Sequence, residues 1–171
     1  MDKRWICILI IAIVGFAGLY YIVDNSSTLG SASVYVNKFK VTLPHDYNVA
    51  GDGKTYMDAV NKQTNEHIII KDVGKGDLIS SEFAKRADAL INNENISSTE
   101  YSSIEINCEN LTTIEYKSIS NDNINKIIFL TKDDHTFTFE CKDFHNETKL
   151  ENDVSFLMDT LMRDVKQKQD E

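Results

Sequence analysis

The sequence lacks the short motifs that mark nucleophilic and phosphate-binding sites. No Ser lies in a Gly-x-Ser-x-Gly turn, and the glycine pairs within 51–54 and 74–77 lack Walker spacing. The carboxylates are scattered along the chain, so the sequence assigns no acid–base pair. We therefore predict no enzymatic activity, no catalytic residues and no cofactor.

Compact sets of metal ligands are also missing. The four histidines are His45, His67, His135 and His145. Two stretches bring potential ligands close together in sequence, namely Cys141 with His145 and Asp133-Asp134 with His135. The first joins the end of an inward-facing strand to a loop, and the second is typical of a solvated acidic turn. We expect both to be incidental, and the sequence leaves a metal site open.

Basic residues are few. The chain has 18 Lys and Arg against 27 Asp and Glu, which gives a net charge of −9. Residues 1–24 carry two charges of each sign, so the whole excess belongs to residues 25–171. An acidic body repels the phosphates of nucleic acids and anionic membrane surfaces. We expect no nucleic-acid partner.

One long apolar run is present, from Trp5 to Val23, and it contains no charged residue. As a helix these 19 residues span about 28 Å, close to the ~30 Å hydrocarbon thickness of a bilayer. Lys3 and Arg4 precede the run and Asp24 follows it, which favours a cytoplasmic N-terminus. The sequence predicts a single-pass cell-membrane protein that contacts lipid through this segment and holds its C-terminal domain outside.

A cleaved secretory signal is the alternative for the same segment. Lys3-Arg4 would be its basic region, 5–14 its apolar stretch and 15–17 its cleavage site. The apolar run continues to Val23, which favours an uncleaved anchor. Both interpretations place the domain outside, and the sequence leaves the cleavage open.

We divide the chain into a cytoplasmic tip and anchor at 1–24, a polar linker at 25–33, an extracytoplasmic domain at 34–166 and a frayed tail at 167–171. The Asn-x-Ser/Thr sequons begin at Asn25, Asn95, Asn110 and Asn146, and whether they are glycosylated stays open.

Hydrophobic periodicity predicts an α+β domain with about seven antiparallel strands and two packed helices. Alternation of Phe39, Val41 and Leu43 marks the first strand, and a run that is apolar on both faces at 126–131 marks a central one. We expect the first helix to be capped by Ser80 or Ser81 and to end at Asn92. In chain order, the predicted elements are strands at 34–43, 55–61 and 66–71, a helix at 80–91, strands at 103–107, 111–118, 126–131 and 136–141, and a helix at 150–165, with a loop at 46–54 and another at 72–79.

Two cysteines fall in the predicted domain. Cys108 lies in a predicted turn at 108–110, where Asn110 is the residue suited to a positive φ. Successive hairpins would place Cys108 and Cys141 at opposite ends of the sheet, ~20 Å apart, whereas a disulfide needs Cα atoms within about 7 Å. We predict two free, mostly buried thiols.

Several of these strands contain short sequence motifs similar to those of PsbP-like domains. The first strand, 39–44, resembles the opening F-x-V-x-L-P strand of that group, and 104–107 with 111–114 resembles its central hairpin. Strand 137–139 and the helical segment 153–156 resemble its closing elements, so the resemblance covers about residues 34–165. It implies a three-layer α-β-α sandwich and an accessory or binding role in place of catalysis.

The sequence-based hypothesis is therefore a membrane-anchored, non-catalytic binding or accessory module with an unknown protein partner. The alternative is a surface domain that binds a small ligand or a metal in a cleft between sheet and helix. The alternative requires a deep apolar pocket with converging polar groups.

Overall fold

Residues 32–164 are described by the structure, a computed structural model. This part is an α+β domain, as the sequence predicts. Its elements are β1 (Ser33–Val36), β2 (Phe39–Thr42), β3 (Tyr47–Asp52), β4 (Tyr56–Asn61), β5 (His67–Lys75), α1 (Ile79–Ile91), β6 (Ile96–Ile106), β7 (Glu109–Ser118), β8 (Ile124–Lys132), β9 (His135–Phe144), α2 (Glu147–Thr160) and β10 (Met162–Arg163).

The strands form one large and one small antiparallel sheet. Seven strands follow the order β3-β4-β5-β9-β8-β7-β6, and β1-β2-β10 form a separate three-stranded sheet. The predicted hairpin runs are present within β3–β5 and within β6–β9. They are joined by the pairing of β5 with β9, in which Ile70 lies opposite Phe139, so the sheet is not one continuous meander in sequence order.

The large sheet is covered on both faces, which gives three layers. Alternate residues of β8 point to opposite sides: Ile128 belongs to the cluster that contains Val154 of α2, and Phe129 to the cluster that contains Ala87 of α1. Because β8 is buried on both faces, it shows no polar alternation, as predicted. The small sheet lies on the same side as α2, since Phe39 is part of that cluster.

The segment 34–43 is a hairpin where the sequence predicted one strand. Asn37 adopts a φ of 56° and reverses the chain between β1 and β2. Asn tolerates this left-handed conformation better than most residues, which explains the turn inside an apparently continuous alternation. The inward assignment of Phe39, Val41 and Leu43 is correct, since all three are fully buried.

Both predicted loops around glycines are largely strand. The segment 46–54 contains β3, with a register shift between Val49 and Gly51. Strand β5 continues to Lys75 through a second shift between Asp72 and Gly74, whose φ is 145°. In both places the glycines accompany bulges, which insert a residue without ending the ladder.

The helix ends differ in part from the predictions. Neither Ser80 nor Ser81 is the N-cap of α1, because the helix begins one residue earlier and its cap, Leu78, offers no side-chain bond. Instead the hydroxyl of Thr136 accepts a hydrogen bond from the Leu78 backbone N–H at 2.8 Å. Asn92 ends α1, as predicted.

Helix α2 is shorter than predicted. It ends at Thr160, and the following residues form β10, which pairs with β2. Val165 and the predicted tail lie outside the described residues, as do the predicted anchor at 5–23 and the linker up to residue 31. Within 32–164 no helix is long and apolar enough to cross a membrane.

The turn between β6 and β7 consists of Asn107 and Cys108, with φ values of 53° and 63°. Asn110, the predicted positive-φ residue, lies in β7. Two consecutive positive-φ residues make the type I′ turn that fits a two-residue hairpin. Cys108 is therefore exposed, contrary to the prediction, whereas Cys141 is buried; both are free thiols.

Phe137 tests the packing between the small sheet and the large one. Its ring lies edge-on to that of Phe39, with centroids 4.8 Å apart, and both are fully buried. Phe137→Ala should lower the free energy of unfolding by about 3–5 kcal/mol because it leaves a cavity. Equilibrium unfolding in urea measures the change.

Ile119→Ala is the matched control. Its side chain is 68% exposed, so the change should stay within about 0.5 kcal/mol. Equal effects of the two substitutions would contradict the packing described here.

Candidate functional site

Lys149 is the centre of a half-buried polar cluster between α2 and the large sheet. Its Nζ lies 2.9 Å from Oε2 of Glu66 and 2.7 Å from Oδ2 of Asp153. The Tyr47 hydroxyl donates to Asp153 at 2.8 Å, and the ammonium group also lies 5.0 Å from the centre of the Tyr47 ring. Each polar group of this cluster therefore has a partner within the domain.

The pKa values in this cluster follow from burial and pairing. Burial acts most strongly on Glu66 and would raise its pKa, but the hydrogen bonds from Thr64 and Lys149 outweigh it and lower the pKa. For Asp153 the effect of burial exceeds that of the hydrogen bonds from Lys149 and Tyr47, so its pKa is raised. Burial opposes the charge on Lys149, yet the bonds to Asp153 and Glu66 prevail and raise its pKa. The cluster therefore holds two carboxylates around one ammonium group.

His135 forms a second polar pair in the interior. Its Nδ1 lies 3.1 Å from both carboxylate oxygens of Asp72, which is 4% exposed. Asn37 donates to the same carboxylate at 2.7 Å, and the Gly74 backbone N–H donates to it at 3.0 Å. The ring also packs against Phe39. The pair thus links the β1–β2 turn to the bulge of β5 and has a structural role.

The stretches that the sequence singled out do not assemble into sites. Asp133 and Asp134 form the β8–β9 turn with positive φ values, while His135 pairs with Asp72 instead. Cys141 faces the core. His145 is exposed, and its Nδ1 is 3.0 Å from Oδ1 of Asn123. Among residues 32–164, no three His, Cys, Asp or Glu side chains lie close enough to hold a metal ion.

Three cavities in the described part of the chain bear on the alternative hypothesis. One of them lies between sheet and helix, where that hypothesis requires a pocket, and has a volume of about 220 Å³. Two others, of about 370 and 210 Å³, lie along α2 and beside the end of α1. Ligand pockets usually measure about 300–1,000 Å³ and enclose most of their ligand. The first cavity is lined by Asn107, Glu109, Leu130, Thr131, Lys132, Met158 and Asp159.

The outer side of β6 is the longest unpaired strand edge in the described part of the chain. This strand runs for 11 residues at the edge of the large sheet, and within 32–164 no other strand pairs with its outer side. It contains no Pro and no Lys, and only Glu100 and Glu105 carry charge. Long edges usually carry such protective residues because unpaired backbone groups recruit other strands.

The hairpin geometry identifies which backbone groups of β6 face outward. A two-residue turn closes on a pair that exchanges both backbone hydrogen bonds, here Ile106 with Glu109. Every second residue before Ile106, as far as the register shift at Ser98, therefore also bonds to β7. The N–H and C=O groups that point away from the sheet belong to Thr99, Tyr101, Ser103 and Glu105.

The opposite edge of the sheet is better protected. Strand β3 has six residues and a register shift in its middle, between Val49 and Gly51, whereas the shift in β6 lies at the start of the strand, between Ile96 and Ser98. Short length and bulges are two devices that block addition of a further strand. The two edges therefore differ in their capacity to bind another strand.

Most of this edge lies outside the strand predicted at 103–107. The available signal was the presence of Ile96, Thr99 and Tyr101 before that strand, since β-branched and aromatic residues favour strands.

Comparisons with known proteins establish a fold and no more. No family model and no curated protein matches the sequence. The chain is similar to a crystal structure of a protein from Bacteroides thetaiotaomicron VPI-5482, with a TM-score of 0.50 and 13% identity, over 76% of this chain and 47% of that one. The present chain thus spans about half the length of that protein.

A solution structure of cyanobacterial PsbP (CyanoP) from Synechocystis sp. PCC 6803 also matches, with a TM-score of 0.42 and 10% identity, over 78% of this chain and 91% of that one. At these identities the likeness is one of fold alone.

Lys149→Met tests the polar cluster. Without the ammonium group, the carboxylates of the buried Glu66 and the half-buried Asp153 lose their cation. We expect the free energy of unfolding to fall by about 2–3 kcal/mol at pH 7. The pKa values of both carboxyls then rise, so the folded state takes up protons more readily than the unfolded chain. The destabilisation should be full above those pKa values and should shrink on acidification to about pH 4.

Lys75→Met is the control, since its ammonium group is 3.5 Å from Asp134 and its side chain is 78% exposed. It should change the free energy of unfolding by less than about 0.5 kcal/mol at either pH. A loss in Lys149→Met that does not vary with pH would contradict the electrostatic account. Urea unfolding of both variants at the two pH values supplies the comparison.

Proposed function

We propose that this protein is a membrane-tethered, non-catalytic accessory module that binds a protein partner outside the cytoplasm by strand addition to β6. The observation that carries the binding role is the 11-residue unpaired edge. An incoming strand would gain backbone hydrogen bonds from the outward groups, and side-chain contacts on either face would select it.

The tether rests on the apolar run from Trp5 to Val23. Its length fits the hydrocarbon layer, and the basic residues Lys3 and Arg4 favour a cytoplasmic N-terminus. The linker and domain then follow on the outer side. The acidic domain, which carries the net charge of −9, would be repelled from anionic headgroups, so its edges stay available to partners.

The non-catalytic role is supported by the internal pairing of the ionisable groups. The ammonium group of Lys149 binds the carboxylates of Glu66 and Asp153. The Asp72 carboxylate accepts hydrogen bonds from three partners. Groups held in this way stabilise the fold. Within 32–164, the longest row of unpaired backbone groups on a strand edge belongs to β6, which suits binding.

The tether is tested by extraction of membranes from cells that express the full chain. The wild-type protein should remain in the membrane pellet after alkaline carbonate treatment. Ile13→Lys places a charge near the centre of the run at a cost of about 2.5–3.5 kcal/mol and should shift the chain toward the supernatant. Ile13→Leu is the control and should behave as wild type. Extraction of the wild-type chain by carbonate would overturn the tether.

Ser103→Pro tests strand addition. Its N–H faces outward, so proline removes a donor for the incoming strand while the bonds to β7 remain. Retention of the bound partner, measured after cross-linking in intact membranes and purification of the tagged full chain, should fall on the order of tenfold. Ser103→Ala keeps the N–H and should retain the partner.

Partner retention that is equal in Ser103→Pro and Ser103→Ala would rule out β6 as the binding edge. Thermal unfolding of the two variants must first agree, because a loss that follows the stability of the fold would carry no information on the edge. Proline at a solvent-facing edge position leaves the ladder intact.

A further inference from the structure

The strand β6 is complementary to a second copy of itself. In an antiparallel arrangement with a two-fold axis at Tyr101, the regular part of the strand, which follows its register shift between Ile96 and Ser98, overlaps its copy from Ser98 to Ile104. Glu100 then lies opposite Ser102 of the second copy, and Glu105 lies beyond this overlap. No charge faces a like charge directly, which matters because opposed like charges destabilise strand pairs.

The backbone groups also fit this register. Thr99, Tyr101 and Ser103 all point their N–H and C=O groups outward, by the alternation set at the turn. Across the two-fold axis Tyr101 would face Tyr101, and Thr99 would face Ser103 in both directions. Each of these is a pair that exchanges both backbone hydrogen bonds. An axis at Glu100 would oppose two carboxylates, and an axis at Ser102 would place Tyr101 opposite Ser103, so only the axis at Tyr101 pairs the two tyrosines.

The side chain at the axis is suited to burial between two copies. Tyr101 is 49% exposed, and its ring centroid lies 5.4 Å from that of Phe83 on α1. A second tyrosine from the partner copy would extend this aromatic pair, and aromatic cross-strand pairs stabilise sheets.

We propose that two copies of this chain associate through β6 in the antiparallel register centred on Tyr101, which joins their sheets into one of 14 strands (two sheets of seven). The inference rests on the proposed function and names a second copy as the partner of the same edge. Tethering of both copies in one membrane would raise their effective concentration.

Cysteine cross-linking of the full chain in membranes tests the register. The background carries Cys7→Ser and Cys108→Asn, the latter because Asn accepts the positive φ of that turn. With Tyr101→Cys, the two Cα atoms would lie about 5.5 Å apart, within the range for a disulfide. Under mild oxidation, most of this variant should form a dimer of twice the 19.5 kDa chain.

Ser103→Cys is the matched control, because its two copies would be four residues apart along the strand, or about 13 Å, too far to bridge. Adding Thr99→Cys to it should restore the cross-link, since these positions face each other. The double variant retains Tyr101 and therefore reports on the dimer even if Tyr101→Cys perturbs the edge.

Absence of a dimer in both Tyr101→Cys and the double variant would overturn the proposal. So would equal cross-linking of Ser103→Cys alone, which indicates random collision, or cross-linking of Ser102→Cys in place of Tyr101→Cys, which indicates another register. The cysteine variants could give no cross-linked dimer while Ser103→Pro still reduces the retention of a bound protein. In that case β6 remains the binding edge and its partner is a different chain.

Discussion

The pairing of β5 with β9 is the contact on which the architecture depends. Ile70 and Phe139 are opposite each other across this ladder although they lie 69 positions apart (139 − 70). The pairing joins the two hairpin runs into one sheet and creates a surface broad enough for a helix on each side. Closing so long a loop costs entropy before any contact forms, so the core must provide most of the stability. Phe139 and Ile70 are both fully buried in that core.

Paired charges surround this ladder where helices meet the sheet. Glu82 on α1 is 5% exposed and binds Arg86, which reaches across to Glu140 on β9. On the other face, Lys126 of β8 is 4% exposed and binds Glu147 at the start of α2 at 2.7 Å. Charges buried in this way cost desolvation, so they add little net stability, but an unpaired partner is costly. They therefore favour one placement of each helix over a shifted one.

The features that depend on hydrophobic periodicity could be predicted from the sequence. It placed both helices, the doubly buried β8 and the inward residues of β2, and the resemblance to PsbP-like domains implied the three layers. It failed where one residue decides the chain direction: Asn37 and Asn107–Cys108 form turns through positive φ values that their neighbours do not signal. It also treated Gly51 and Gly74 as loop residues where they accompany bulges, because a bulge is defined by the partner strand. Neither the Asp72–His135 pair nor the β6 edge was found, since both depend on which strands become neighbours.

The two edges of the sheet differ in how well each could accept a further strand. At β3, a short strand with a register shift in its middle ends the sheet, and the hydroxyl of its first residue, Tyr47, donates to Asp153 of α2. At β6, the strand is nearly twice as long, its register shift lies at its start, and its inner side pairs with β7 from Ser98 to Ile106. This pairing keeps the outward groups of Thr99, Tyr101 and Ser103 in line, so a partner strand would meet a preformed ladder and lose little additional entropy on binding. Under the proposed function, the asymmetry between the edges would direct association to one side of the domain.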